Sequence, residues 1–196
     1  EIDWPHDLSP LPVAAISPNP YELDRLADSL ASAKRPLLWL GGGARHAGKA
    51  VQRLVDMGFG VVTTTQGRGI LPENHPANIG AFTLQPQIEA FYRTCDSILV
   101  AGSRLRGNET LKYTLDLPKR LFQIDADPEA ENRCYHSEQF ICADTALCLD
   151  GLADRLQGRL ETDVSMLADL GEARDAARSA LREGIEPYTA LLDALQ

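Results

Sequence analysis

Clustered positive charge is missing from this 196-residue chain, in which 19 Lys and Arg stand against 28 Asp and Glu for a formal net charge of −9. The basic residues are scattered, which argues against a nucleic-acid partner, because a phosphate-binding surface needs Lys and Arg gathered on one face. Long apolar runs are missing too. No stretch approaches the roughly 18 residues expected of a membrane span, and no basic-then-apolar stretch stands at the start. We therefore expect no membrane partner and a cytoplasmic setting. Cysteine is sparse: Cys95, Cys134, Cys142 and Cys148 show no Cys-x-x-Cys spacing, and no His pair sits at metal-ligand offsets. Neither a zinc site nor a disulfide framework is supported. His6, His46, His75 and His136 have no acid or nucleophile at a recognisable spacing, so no catalytic triad, and no catalytic residue of any kind, is assigned.

What is present is an alternation of strand and helix signals. With 44% hydrophobic residues the chain can fill a core, and its length fits one α/β domain with extra terminal segments. Asn19-Pro20-Tyr21-Glu22 supplies an N-cap, a Pro at the first helical position and an early acid, and Leu23, Leu26, Ala27 and Leu30 follow at helical spacing to an end near 34–36. Strands are predicted over 37–40, 60–64, 97–101, 120–125 and 140–143. Ala47, Val51, Leu54 and Val55 mark a second helix closed by Gly58, residues 88–93 a third, and Asp144 caps a fourth that turns Leu147, Leu152 and Leu156 inward. Residues 105–118 lack periodicity and read as a long loop with a short helix at 109–113. Met166, Leu167, Leu170, Ala173, Ala177, Ala180 and Leu181 form one stripe of a charged helix, whose small residues suit docking on another surface. Five strands with crossovers predict an α/β fold: a doubly wound parallel sheet, Rossmann-like, of five to six strands with helices on both faces.

Gly41-Gly-Gly43 follows the first strand. Backbone without side chains there lets amides approach a pyrophosphate, and glycines are equally what a tight turn or close packing needs. The dinucleotide fingerprint is incomplete: His46 replaces its third Gly, and Thr63-Thr-Thr65 stands where a ribose-binding acid belongs, so hydride transfer is not favoured. Asp125 and Asp127 follow the fourth strand, either to bind a ribose or to build a turn. Arg104 and Arg106 follow the third, either to bind phosphate or carboxylate or to lie solvated. His75 reads as a turn residue, and Cys142 and Cys148 as small core hydrophobes.

Pro36-Leu-Leu-Trp-Leu-Gly-Gly-Gly43, Val61-Val-Thr-Thr-Thr-Gln-Gly-Arg-Gly69, Pro72-Glu-Asn-His-Pro76 with Ile79-Gly80, Asp96-Ser-Ile-Leu-Val-Ala-Gly-Ser-Arg104 and Gln123-Ile-Asp-Ala-Asp-Pro128 occur in that order. Over about residues 15 to 157 the chain thereby resembles the central domain of thiamine-diphosphate-dependent enzymes, the family of acetolactate synthase, benzoylformate decarboxylase and related 2-oxo acid decarboxylases. Glu1-Ile-Asp-Trp-Pro-His-Asp7 resembles the exit of a preceding pyrimidine-binding domain, and Glu186-Pro-Tyr-Thr-Ala-Leu-Leu-Asp-Ala-Leu195 the start of a following pyrophosphate-binding domain. The expected division is 1–14, a linker; 15–160, the central domain; and 161–196, a helix and linker onward. The resemblance implies thiamine diphosphate and Mg2+ held by flanking domains of the same chain, in a homodimer or homotetramer, with this piece inactive alone; the Gly-Asp-Gly segment that would hold them is absent here.

In acetolactate synthases the central domain holds FAD, and the matching positions here are Gly42, Gly43, Thr65, Gln66, Gly102, Arg104, Asp125 and Asp144. Two departures, Leu105-Arg-Gly-Asn108 after Arg104 and Ala81-Phe-Thr-Leu-Gln85 after Gly80, disfavour flavin and argue for a site left empty or occupied differently, so that neither FAD nor ADP is favoured as an occupant. The loop at 103–113 is closer to decarboxylase-like members, including those acting on guanidino 2-oxo acids. The alternatives are a stand-alone FAD-, ADP- or NAD-binding module and a structural oligomerisation domain.

Overall fold

The apolar runs form strands because they have no polar face to turn outward. Pro36–Leu40 (β1), Gly60–Thr63 (β2) and Ser97–Ala101 (β3) are buried at every position, as a parallel sheet covered on both faces requires. Arg120–Asp125 (β4) is buried through its centre, and Gln139–Cys142 (β5) is mostly half-buried. This is seen in a computed structural model that describes residues 14–185 together with 188, 189 and 194. The readings made for residues 1–7 and, those three positions apart, for 186–195 lie outside the described residues.

All strand pairs are parallel and the order is β2-β1-β3-β4-β5. A sixth, rudimentary strand lies beyond β2: the Val61 N–H donates to Ala77 O at 2.8 Å, Ile79 N–H to Val61 O at 2.8 Å, and Thr63 N–H to Gly80 O at 3.1 Å. Counting it, the chain runs outward from β1 through β2 to this edge, then returns past β1 to β3, β4 and β5. The winding therefore reverses between β1 and β3, which opens a crevice at their carboxyl ends.

The period-2 geometry of each strand splits its residues between two cores. Leu38, Leu40, Val61, Leu99, Phe122 and Ile124 face Leu26, Leu30, Val51, Leu54, Leu149 and Leu152, which belong to Pro20–Leu30 (α1), Gly48–Asp56 (α2) and Thr145–Leu156 (α4). Leu37, Trp39, Val62, Ile98 and Val100 face Ile88, Phe91, Met166 and Leu170, from Pro86–Tyr92 (α3) and Met166–Gly184 (α5). Burying each such side chain is worth about 1.5–3 kcal/mol. The stripe expected to dock elsewhere thus docks here: Met166, Leu170 and Ala177 are buried against the chain's own sheet while Leu167 stays exposed, and α5 supplies half of that second layer.

Both caps form as expected. Asn19 accepts from the Tyr21 N–H at 3.0 Å, and Asp144 accepts from the Leu147 N–H at 3.0 Å. Four expectations need correction. The helix α1 stops at Leu30, capped by Ala31, because Asp96 draws the Lys34 and Arg35 N–H groups into the turn that leads to β1. Leu147 is 44% exposed; the buried stripe of α4 is Cys148, Leu149, Leu152 and Leu156, one residue round the helix. No helix forms at 109–113, where Leu111, Lys112 and Tyr113 hold φ of 48°, 57° and 71°, a hand that excludes the right-handed helix. Cys142 is half-buried, since β5 is an edge strand, whereas Cys148 is buried.

Arg35 ties α5 and its approach to the amino edge of the sheet. Its guanidinium pairs with Asp163 at 2.8 Å and Asp169 at 2.7 Å, donates to Thr94 Oγ1 at 3.1 Å, and lies 6.0 Å from the Phe91 ring centroid. The Ser165 N–H, and after it Arg35, hold the Asp163 carboxyl below its ordinary value. A depressed carboxyl contributes stability that is present above its unfolded pKa, about 4, and lost as pH falls through the folded value. Arg35→Met is expected to lower stability by about 1–3 kcal/mol at pH 7, read from urea denaturation, and the gap from the parent is expected to narrow below about pH 4.

Candidate functional site

Three turns meet at the crevice. After β1 the chain makes a 3-10 turn over Gly42–Ala44. After β2 the Thr64 side chain accepts from the Gly67 N–H at 3.2 Å and caps a 3-10 turn over Thr65–Gly67. After β3, Gly102 takes a φ of +63°, which a residue with a side chain adopts only under strain.

The first and third turns touch backbone to backbone. Gly43 N–H donates to Gly102 O at 3.0 Å. A Cβ on Gly41 would lie 2.2 Å from Gly102 O, and one on Gly43 2.8 Å from Gly102 Cα. Close packing is therefore the reason for Gly41 and Gly43. Gly42 differs: its nearest neighbour would be Gln66 Cβ at 3.1 Å, and its N–H has no partner among the described residues.

Around this contact lies a cleft of about 300 Å³. Of the eight positions matched above, Gly42, Gly43, Gln66, Gly102, Arg104 and Asp125 line it together. Thr65 and Asp144 do not. Thr65 borders a neighbouring cavity with Phe82 and Thr83, and Asp144 is spent on the α4 cap, because β5 lies two strands from the winding reversal. The cleft also contains Arg45, Ser103, Arg106 and Glu109; of these, the sequence alone offers only Arg106, as a phosphate ligand or a solvated charge. The signal for Arg45 was its place two residues past the glycines; for Glu109 it was a polar residue in a long loop opening from a strand end.

The charges are interlocked. Arg104 pairs with Asp127 at 2.6 Å. Asp127 also accepts from the Glu129 N–H at 3.0 Å, and its own N–H donates to Asp125 Oδ1 at 3.0 Å. So Asp127 builds the turn and aims Arg104, while Asp125 faces the cleft. Burial pushes the Asp125 carboxyl up, against the Asp127 N–H and the field of Arg104, which lower it. Burial also pushes Glu109 up, although it accepts from Ser103 Oγ at 3.5 Å. Together these groups offer guanidinium donors and a free amide to an anion, and carboxylate acceptors to hydroxyls beside it. His75 stays in its turn, where Nδ1 accepts from the Ala77 N–H at 3.2 Å.

The model of the thiamine pyrophosphate enzyme central domain matches residues 23–152. The chain belongs to this family. Among curated proteins, this central domain is 27% identical over 194 residues to a Pseudomonas aeruginosa protein named probable 2-ketoarginine decarboxylase, covering 98% of the chain and 34% of the relative. It is 27% identical to chloroplastic acetolactate synthase 1 of Zea mays, over 69% of the chain and 22% of the relative. It is also 27% identical to pyruvate oxidase of Lactiplantibacillus plantarum, over 74% and 24%. A solved thiamin diphosphate-dependent enzyme from Mycobacterium smegmatis shares the fold, with a TM-score of 0.59 at 22% identity over 81% of the chain and 32% of that structure. The chain thus spans about a third or less of these relatives. It carries no Gly-Asp-Gly segment, and no three His, Cys, Asp or Glu side chains among the described residues are grouped to hold a metal ion. No helix among the described residues is long and apolar enough to cross a membrane.

The glycines separate packing from ligand contact. Gly41→Ala is expected to destabilise by about 3 kcal/mol or more, since backbone rather than a movable side chain blocks the new methyl. Gly42→Ala is expected to cost at least about 2 kcal/mol less. Thermal or urea unfolding of both variants checks this, and equal losses would overturn the distinction.

Proposed function

We propose that this chain is the non-catalytic central domain of a thiamine-diphosphate-dependent enzyme acting on 2-oxo acids, a decarboxylase rather than a carboligase, and that its own ligand is the diphosphate of an adenine nucleotide held at the β1/β3 crevice. The cofactor's electron-sink chemistry belongs to the flanking domains; this chain provides scaffold, subunit contacts and the nucleotide cleft. The match over 98% of this chain, though 34% of the relative, to a protein named probable 2-ketoarginine decarboxylase supports the decarboxylase reading and a guanidino 2-oxo acid as substrate.

One observation carries the nucleotide: Arg45, Arg104 and Arg106 line one cleft at the winding reversal with Gly42, whose N–H has no partner among the described residues. Guanidinium forks and an open amide suit a diphosphate, and Asp125, beside them, suits ribose hydroxyls. A cleft of about 300 Å³ is at the small end for a ligand site, which favours ADP over FAD.

Calorimetric titration of the purified chain tests this. ADP is expected to bind more tightly than FAD, with Arg45→Gln weakening ADP on the order of tenfold. No release of carbon dioxide is expected from 2-oxo acids with thiamine diphosphate and Mg2+ added. Absence of ADP binding at millimolar concentration, or equal binding by Arg45→Gln, overturns the nucleotide assignment; carbon dioxide release overturns the non-catalytic one.

A further inference from the structure

A second cavity, of about 480 Å³, adjoins the cleft. The two share Arg104 and Arg106 as a common wall, and Arg133, Asn108 and Tyr113 complete the second. Its charge balance differs from its neighbour's. The cleft sets Glu109 and Asp125 against its three arginines, whereas the second cavity is lined by three arginines and no carboxylate.

That concentration is unusual for a chain with a net charge of −9. Elsewhere the arginines are committed: Arg35, Arg53, Arg68, Arg93, Arg120, Arg155, Arg159 and Arg174 each have a carboxylate within 4 Å, and Arg178 lies over Phe82. Among the described residues, Arg133 and Arg45 have neither an ion pair nor a ring partner, and Arg106 feels Glu109 only at longer range. Of the arginines left unpaired in this way, Arg25 alone lies away from the two cavities.

The neutral lining suits the same kind of ligand. Asn108 brings an amide and Tyr113 a phenol, each able to donate. The Tyr113 ring is seated on Gly107, where a Cβ would come within 3.2–3.4 Å of its atoms. Arg104 is already paired with Asp127 at 2.6 Å, so Arg106 and Arg133 are the guanidiniums of this cavity without an ion pair within 4 Å among the described residues, and an anion that accepts several donors would neutralise them.

We infer that Arg104, Arg106 and Arg133, with Asn108 and Tyr113, form a phosphate-monoester site distinct from the diphosphate cleft it adjoins. The dianion would come either from a second phosphate on the nucleotide bound next door, as in a ribose-phosphorylated adenine nucleotide, or from a separate phosphorylated molecule. The first source rests on the nucleotide reading above; the second does not.

The test uses the full chain and four probes, namely inorganic phosphate, ADP, and ADP carrying a further 2′- or 3′-phosphate. Arg133→Gln is the discriminating variant, since Arg133 does not line the first cleft. Phosphate is expected to bind the parent and to lose on the order of tenfold in Arg133→Gln, while ADP binding is unchanged. Cys134 lines the second cavity, so phosphate is expected to slow its alkylation by iodoacetamide, read by mass spectrometry, while leaving Cys142 unaffected. A ribose-phosphorylated ADP that binds at least tenfold tighter than ADP, with the gain abolished by Arg133→Gln, assigns the first source. No gain, with phosphate still bound, assigns the second. If neither phosphate nor either ribose-phosphorylated nucleotide distinguishes the parent from Arg133→Gln, and Cys134 is not protected, the site is overturned even where ADP binds. Phosphate binding without ADP binding sinks the nucleotide reading and leaves this site standing.

Discussion

Gly41 and Gly43 press against Gly102 with backbone alone between them, and the geometry of the candidate site follows from that contact. Strands β1 and β3 are paired through Leu40 and Ala101, yet their continuations lead away to different elements: β1 to α2 on one face, β3 to the long loop over the crevice. A side chain at any of these three glycines would wedge the turns apart where the winding reverses. With none, the Gly43 N–H still reaches Gly102 O, and Arg45 on one turn and Arg104 on the other end up around a single cleft.

The same contact divides the glycines into two kinds, which a sequence does not do. Gly41 and Gly43 are needed for packing, and a Cβ on Gly67 would likewise strike Leu40 O at 2.2 Å. Of the three glycines in the run, Gly42 is the one whose N–H has no partner among the described residues. A run of three glycines after a buried strand thus holds two residues fixed by packing and one whose amide is left unpaired. The incomplete dinucleotide fingerprint is consistent with this division, because the packing role asks nothing of position 46.

What could be read from the sequence was what local physics decides. Strands β1, β2 and β3 were legible because burial on both faces makes continuous apolar runs, β4 and β5 from shorter apolar centres, and the caps at Asn19 and Asp144 because capping is a contact between near neighbours. The failures depend on distant partners. Leu147 and Leu149 are equally apolar, and which one turns inward is set by where α1 and α2 lie against α4. The left-handed residues at 111–113 carry no glycine to announce them, and they are held in a loop with the Tyr113 ring on Gly107. Six of the eight expected site positions converge because they end strands beside the reversal; Thr65 and Asp144 fall away because strand order is invisible until the sheet is assembled. Arg45 and Glu109 join the cleft because the turn after β1 and the loop after β3 meet at the reversal.

The arginines show how an acidic chain keeps a basic site. Most are neutralised by carboxylates at the sheet's amino edge and on the helices, where Arg35, Arg53, Arg155 and Arg159 join segments far apart in sequence. Arg104 stands between the two groups. Its pairing with Asp127 is partly exposed, and such a pair is worth only about 0–1 kcal/mol. Asp127 is itself fixed by the turn after β4, so it aims the guanidinium without committing it strongly. An anion in either adjoining cavity would therefore compete with Asp127 at small cost, and whichever cavity filled first would change what Arg104 offers the other. The two cavities share a wall of Arg104 and Arg106, and of these Arg104 is the one whose direction the fold has already set.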